Sequence, residues 1–146
     1  MSRPATEMLD AIRTILRTFT IDEHRFPPAE GRIKYNPIDF QSLYFVGAQR
    51  GCSGAELAGF LGVAPTTAQS VCDRLIQRGL MERAPSETSR RAVSLLLTDE
   101  GDSVLAAIRR QDLANCETML SALPREKRRD FVAQLQRIAD SLSEYH

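Results

Sequence analysis

The chain has 146 residues and a mass of 16.3 kDa, a length that supports one folded domain and is short for a two-domain enzyme. Apolar residues make up 42% and charged residues 26%, the balance of a globular chain and not of a disordered, collagenous or rod-like one. The formal net charge is zero but unevenly spread: residues 50–91 hold six arginines against four acids, and residues 99–146 hold seven basic against nine acidic side chains.

From Pro4 to about Thr20, Met8, Leu9, Ile12, Ile15, Leu16 and Phe19 recur at three- and four-residue steps, which predicts an amphipathic helix. His24 to Pro37 contains Pro27, Pro28, Gly31 and Pro37 without a period and reads as a loop; Asn36 and Pro37 then open a second helix. Its expected inner face is Phe40, Leu43, Tyr44 and Gly47, and Gly51 closes it. Ser53-Gly54-Ala55-Glu56 has the form of a capping box, in which serine and glutamate each satisfy a free backbone N–H at a helix start. A short helix follows with Leu57, Ala58 and Leu61 inward, ended by Gly62. Pro65 suits the first turn of the next helix, because its missing N–H would be unpaired there; Gly79 stops that helix after Arg78.

Beyond Gly79 the period shortens to two. Leu80–Ala84 and Ala92–Thr98 read as strands of a β-hairpin, the second with Val93, Leu95 and Leu97 facing one way, and the connection PSETSRR gives it a basic tip. Thr98 caps a long helix to about Ser121 with the stripe Val104, Leu105, Ile108, Cys116, Met119 and Leu120. Pro124 opens a last helix with Phe131, Leu135, Ile138 and Leu142 on one side. The fold class is mainly α with a small β-hairpin wing.

Two short helices joined through a glycine turn and followed by a two-stranded wing form a winged helix-turn-helix, whose second helix fits the major groove of B-DNA. In the Pro65–Arg78 helix, Ala68, Val71, Cys72, Leu75 and Ile76 fall on the packed side, leaving Thr66, Thr67, Gln69, Ser70, Asp73, Arg74, Gln77 and Arg78 outside. Glutamine can bond adenine with both amide atoms, threonine can touch a thymine methyl, and Ser70 and Arg74 can reach phosphate. Arg90 and Arg91 at the wing tip suit a narrow minor groove, where negative potential is strongest. A polar outer face alone describes any surface helix. The succession of capped helix, glycine turn, proline-opened helix, glycine stop and arginine-tipped hairpin is what raises this one to a reading head.

The stretch ELAGFLGVAPTTAQSVCDRLIQRGLMERAPSETSRRAVSLLLTDEG resembles the winged-helix core of the MarR family of bacterial transcription factors, and the flanking helices match that family's layout over nearly the whole chain. Asp73-Arg74-Leu75, Arg78-Gly79-Leu80, Arg90-Arg91-Ala92-Val93 and Leu97-Thr98 followed by Glu100-Gly101 carry the likeness. The resemblance implies a cytoplasmic homodimer that binds a pseudo-palindromic double-stranded DNA operator, usually as a repressor, with release by a small aromatic or acidic effector or by an oxidant. It departs from the family at Ser89, where an aspartate commonly precedes the paired arginines, and at Ala64, where a capping Asp, Ser or Thr is usual. The first departure makes Asp73 the expected orienting partner of Arg91. The second weakens the start of the reading helix by about 1 kcal/mol.

The apolar stripes of the first and last helices lie outside a compact winged-helix core, so residues 1–35 and 99–146 are expected to form a helical dimerisation region and residues 36–98 the DNA-binding lobe. An effector pocket belongs where these regions meet, with Arg13, Arg17, His24 and Tyr44 as candidate contacts. Cys52 is expected in an exposed turn, and Cys72 and Cys116 among buried apolar neighbours. The family's thiol sensors have a reactive cysteine in the first helix, and residues 1–51 contain none. Three cysteines without C-x-x-C spacing and two histidines argue against disulfides and metal, and no cofactor is expected. No glycine-rich phosphate loop, G-x-S-x-G, H-E-x-x-H or Cys-His pairing is present, so the chain is not read as an enzyme. The start MSRPATEMLD lacks the apolar run of a signal peptide and no stretch is apolar enough to span a membrane, which gives a cytoplasmic expectation with no membrane partner. The rival from another class is a winged helix that docks protein, or a ligand-binding antirepressor without DNA affinity.

Overall fold

A computed structural model describes residues 2–21, 37–85 and 93–143. The described elements are helix α1 (Arg3–Ile21), α2 (Pro37–Ala48), α3 (Gly54–Leu61), α4 (Pro65–Gln77), strands β1 (Met81–Pro85) and β2 (Val93–Leu97), α5 (Asp99–Leu120) and α6 (Arg125–Ser143). The strands pair antiparallel, with Met81 opposite Leu97, Arg83 opposite Leu95 and Pro85 opposite Val93. The expected loop at residues 24–36, the side chain of Phe19 and the wing tip with Arg90 and Arg91 lie outside the described residues.

The local signals act as their chemistry requires. Ser53 Oγ accepts from the Glu56 amide at 3.0 Å, and Glu56 Oε1 accepts from the Ser53 amide at 3.1 Å, closing the capping box. Gly62 (φ 70°) and Gly79 (φ 77°) terminate α3 and α4 in the left-handed region that glycine enters without steric cost. Thr98 caps α5 by accepting from the Gly101 amide at 3.0 Å, and its hydroxyl donates to the Gly79 carbonyl at 2.6 Å. Gly101 is needed here for space. A Cβ at that position would stand 2.0 Å from the Leu80 carbonyl oxygen, so the first turn of α5 can seat on the α4–β1 junction only with a hydrogen there.

One core joins α2, α3, α4, the hairpin and the first half of α5: Leu43, Val46, Leu57, Val71, Cys72, Leu75, Leu80, Met81 and Leu95, with Ile108. Phe45 and Phe60 stack with centroids 4.6 Å apart and pin α2 to α3. The core extends beyond the expected lobe boundary, because Val104 and Leu105 also pack against it. It contains no described residue of α1 or α6, whose Met8, Leu9, Ile12, Ile15 and Leu16, and Phe131, Leu135, Ile138 and Leu142, are exposed.

Several expectations are corrected. Tyr44 is exposed, and α2 instead buries Asp39, Ser42, Leu43 and Val46. The helix is wedged against α3, α4, α5 and β2, so its buried surface is wider than one stripe, and Ser42 tolerates burial by donating to the Ile38 carbonyl at 2.7 Å. In β2 the strict alternation fails: Ser94 and Leu95 are both buried and Val93 is exposed. The turn after α2 lies along the strand, with the Leu95 amide donating to the Cys52 carbonyl at 2.8 Å and the Gly51 amide to the Leu95 carbonyl at 3.0 Å. That isolated bridge also buries Cys52, while Cys116 is exposed because α5 runs on past the core. At 22 residues, α5 is about 33 Å long, more than the lobe can cover.

Candidate nucleic-acid interface

α4 is the element on which the candidate site is built. Its apolar side, Ala68, Val71, Cys72 and Leu75, is fixed in the core, and Ile76 is half-buried. The opposite face presents Thr66, Thr67, Gln69, Ser70 and Asp73 to solvent, as the spacing predicts. The face is short and polar, with donors and acceptors suited to base edges. Ser70 turns its hydroxyl inward, donating to the Thr66 carbonyl at 3.1 Å, so its free lone pairs are what it can offer a partner. Ala64 precedes Pro65 in extended geometry (φ −63°, ψ 149°) and supplies no side-chain cap. In this respect α4 differs from α3 and α5.

Arg74 departs from its expected place. Its guanidinium donates to Asp39 Oδ1, and Arg78 Nη1 stands 3.6 Å from Asp39 Oδ2, so both cations turn toward α2. The side chain of Asp39 is 2% exposed, whereas those of Arg74 and Arg78 keep 37% and 31% of their surface. A buried carboxylate requires such partners, because an ion taken out of water and left unpaired is strongly unfavourable. Asp39 was legible in principle: it stands one helical turn before Leu43, on the face that Leu43 and Val46 define as inward. An acid at an inward position calls for a cation across the interface.

On its other flank α4 is tied to the hairpin. Arg83 Nη2 in β1 donates to Asp73 Oδ1 at 2.6 Å, so Asp73 does bind a wing strand, through Arg83. The expected Asp73–Arg91 pairing involves a residue outside the described set. A groove of about 370 Å³ opens between α4 and the hairpin, lined by Pro65, Gln69, Asp73, Arg83 and Val93 among others. Of the four effector candidates, Arg13 and Arg17 are exposed on α1 and Tyr44 on α2, and none of these three is among the described residues that line the groove; His24 lies outside the described residues.

Burial governs the thiols. It pushes Cys52 up to about 11, with Glu56 and Cys72 adding to the rise, and it raises Cys72 as well. Cys52 is therefore a protonated core thiol and not the residue of an exposed turn that the sequence predicts. Among the described residues, no group of three or more His, Cys, Asp or Glu could hold a metal ion, and no helix is long and apolar enough to cross a membrane.

A family model described as MarR family matches residues 34–92, the segment from the start of α2 to the hairpin. The HTH-type transcriptional regulator PecS of Dickeya dadantii (strain 3937) is 31% identical over 139 residues, covering 93% of this chain and 84% of PecS. Among solved structures, that of Streptococcus pneumoniae FabT in complex with DNA superposes with a TM-score of 0.80 at 19% identity, over 99% of this chain and 98% of FabT. PcaV from Streptomyces coelicolor, solved with its natural ligand, gives a TM-score of 0.70 at 20% identity over 97% and 98% of the two chains. At these identities the structures establish a shared fold. The relation to PecS extends the likeness to sequence over almost the full length, and the chain belongs to the MarR family of DNA-binding transcriptional regulators, which are not enzymes.

Proposed function

We propose that the protein represses transcription as a homodimer, each subunit presenting α4 to one of two successive major grooves of a pseudo-palindromic operator. The carrying observation is the exposed Thr66, Thr67, Gln69 and Ser70 face on a helix whose other side is locked in the core. A rigid helix with a short polar face can approach base edges; a mobile one would lose orientation on binding. Two such helices must stand about 34–36 Å apart, and the uncovered stripes of α1 and α6 supply a base on which two subunits can set that distance. Residues 36–98, seated on the start of α5, act as the reading lobe, and 1–35 with the remainder of 99–146 as the dimerisation region. The hairpin follows with Arg90 and Arg91 toward the minor groove. FabT, a protein of the same fold, is solved on DNA, which supports this mode of use.

An effector is the regulatory part of the proposal. PcaV is solved with a natural ligand, and a small aromatic or acidic compound bound between the terminal helices and the lobe would shift the spacing of the reading helices by favouring one arrangement. Arg13, Arg17 and Tyr44 are exposed in the single chain and available to such a ligand.

The test is fluorescence anisotropy with a duplex enriched by the protein from a random pool, against a scrambled duplex at matched salt. Gln69→Ala is expected to narrow the preference for the enriched duplex by about tenfold while non-specific affinity holds, the discrimination of one good base contact. An equal loss on both duplexes removes Gln69 from base reading, and no binding to either by the unaltered protein removes the DNA-reading proposal.

A further inference from the structure

We propose that Asp39 is a positioning residue for DNA recognition: from α2 it clamps Arg74 and Arg78, fixing the second half of the reading helix and withholding two arginines from phosphate. The inference rests on the DNA-reading proposal. Arg74 and Arg78 are one helical turn apart, on the flank of α4 that faces α2, while Thr66, Gln69 and Ser70 lie further round. One buried carboxylate engages both guanidinium groups. The outer face carries the reverse arrangement, an acid of α4 held by a cation of β1, Asp73 with Arg83. α4 is thus tied to α2 and to β1 by ion pairs of opposite sense, with Thr66 and Ser70 between them and Gln69 on the hairpin side of Asp73.

Charge gives the clamp its functional meaning. Two free arginines beside a reading head attract any duplex through counterion release, a gain that is blind to sequence. Asp39 cancels one of the two charges and ties down both side chains, so phosphate attraction is held back and base-edge contacts decide more of the affinity. Both arginines remain about one-third exposed, so their charge is felt by DNA as soon as the clamp is removed.

Asp39→Asn, which keeps the shape and removes the charge, is expected to strengthen binding to the scrambled duplex several-fold and to steepen the salt dependence by about one phosphate-equivalent per subunit. The ratio of enriched to scrambled affinity is expected to fall about tenfold, and Asp39→Glu to restore part of it. A merely structural role would lower the active fraction and leave both slope and ratio untouched. Should Asp39→Asn fail to fold, Arg78→Gln serves instead: a withheld arginine leaves the salt slope within a small fraction of the unaltered value, whereas a phosphate-binding one lowers it by about one per subunit. An unchanged ratio and slope in folded Asp39→Asn, or a full unit lost in Arg78→Gln, overturns the clamp. Absence of binding by the unaltered protein instead overturns the DNA-reading proposal beneath it.

Discussion

At the scale of single residues, the surroundings of a side chain decide its chemistry more than its type does. Cys52 is 4% exposed, and the fold holds its proton to about pH 11, against 9.0 for an unhindered thiol. Between those values the unfolded chain has released a proton that the native chain keeps, so the native state binds more protons and stability falls as pH rises. The expected slope is about 1.4 kcal/mol per pH unit from this thiol, with Cys72 adding in the same direction. Urea midpoints from pH 8 to 11 should therefore decline less steeply in Cys52→Ala than in the unaltered chain. Equal slopes would mean that the thiol is solvated. The same burial argument applies to Asp39, whose buried carboxylate is met by the guanidinium groups of Arg74 and Arg78.

At the scale of elements, those set by local chemistry were readable from the chain, and those set by distant contacts were not. The Ser53–Glu56 box, the Gly62 turn, Pro65, the Gly79 stop and the Thr98 cap each depend on neighbours within a few residues, and each sits where its side-chain chemistry requires. Cys52 depends on a partner about 40 positions away, Leu95, and no periodicity encodes it. Arg74 illustrates the same limit at the candidate site: its helical phase puts it near the reading face, and Asp39, 35 residues earlier, draws it aside. Gly101 lies between the two cases. Its place after Leu97-Thr98 was visible, but its reason, the Leu80 carbonyl across the junction, was not. Backbone cannot yield as a flexible side chain does, so Gly101→Ala should cost about 1–3 kcal/mol or more through displacement of α5. Thermal unfolding measures this directly, and a loss below about 0.5 kcal/mol would show that α5 does not seat on Leu80 in solution.

At the scale of the whole molecule, the decisive fact is where apolar surface remains uncovered. The lobe has a complete core of its own, yet α1 leaves Leu9, Ile12 and Leu16 exposed, and α6 leaves Phe131, Leu135 and Leu142 exposed. Large side chains aligned on two helices, and not scattered singly, mark a surface that another surface covers. If that surface is the second subunit, a charge placed on it should break the dimer without unmaking the lobe, because these positions contribute nothing to the lobe's core. Leu135→Glu, on a residue 53% exposed in the single chain, is expected to sediment as a monomer at micromolar concentration while keeping the circular-dichroism signal of the folded lobe. With the two reading helices no longer tethered, binding to a two-half-site duplex should weaken by about 10²–10⁴-fold, the advantage that linkage gives a second contact. Affinity for a single half-site should hardly move. A Leu135→Glu protein that remains dimeric, or one that loses half-site binding in equal measure, would place the subunit contact elsewhere and separate dimerisation from the terminal helices.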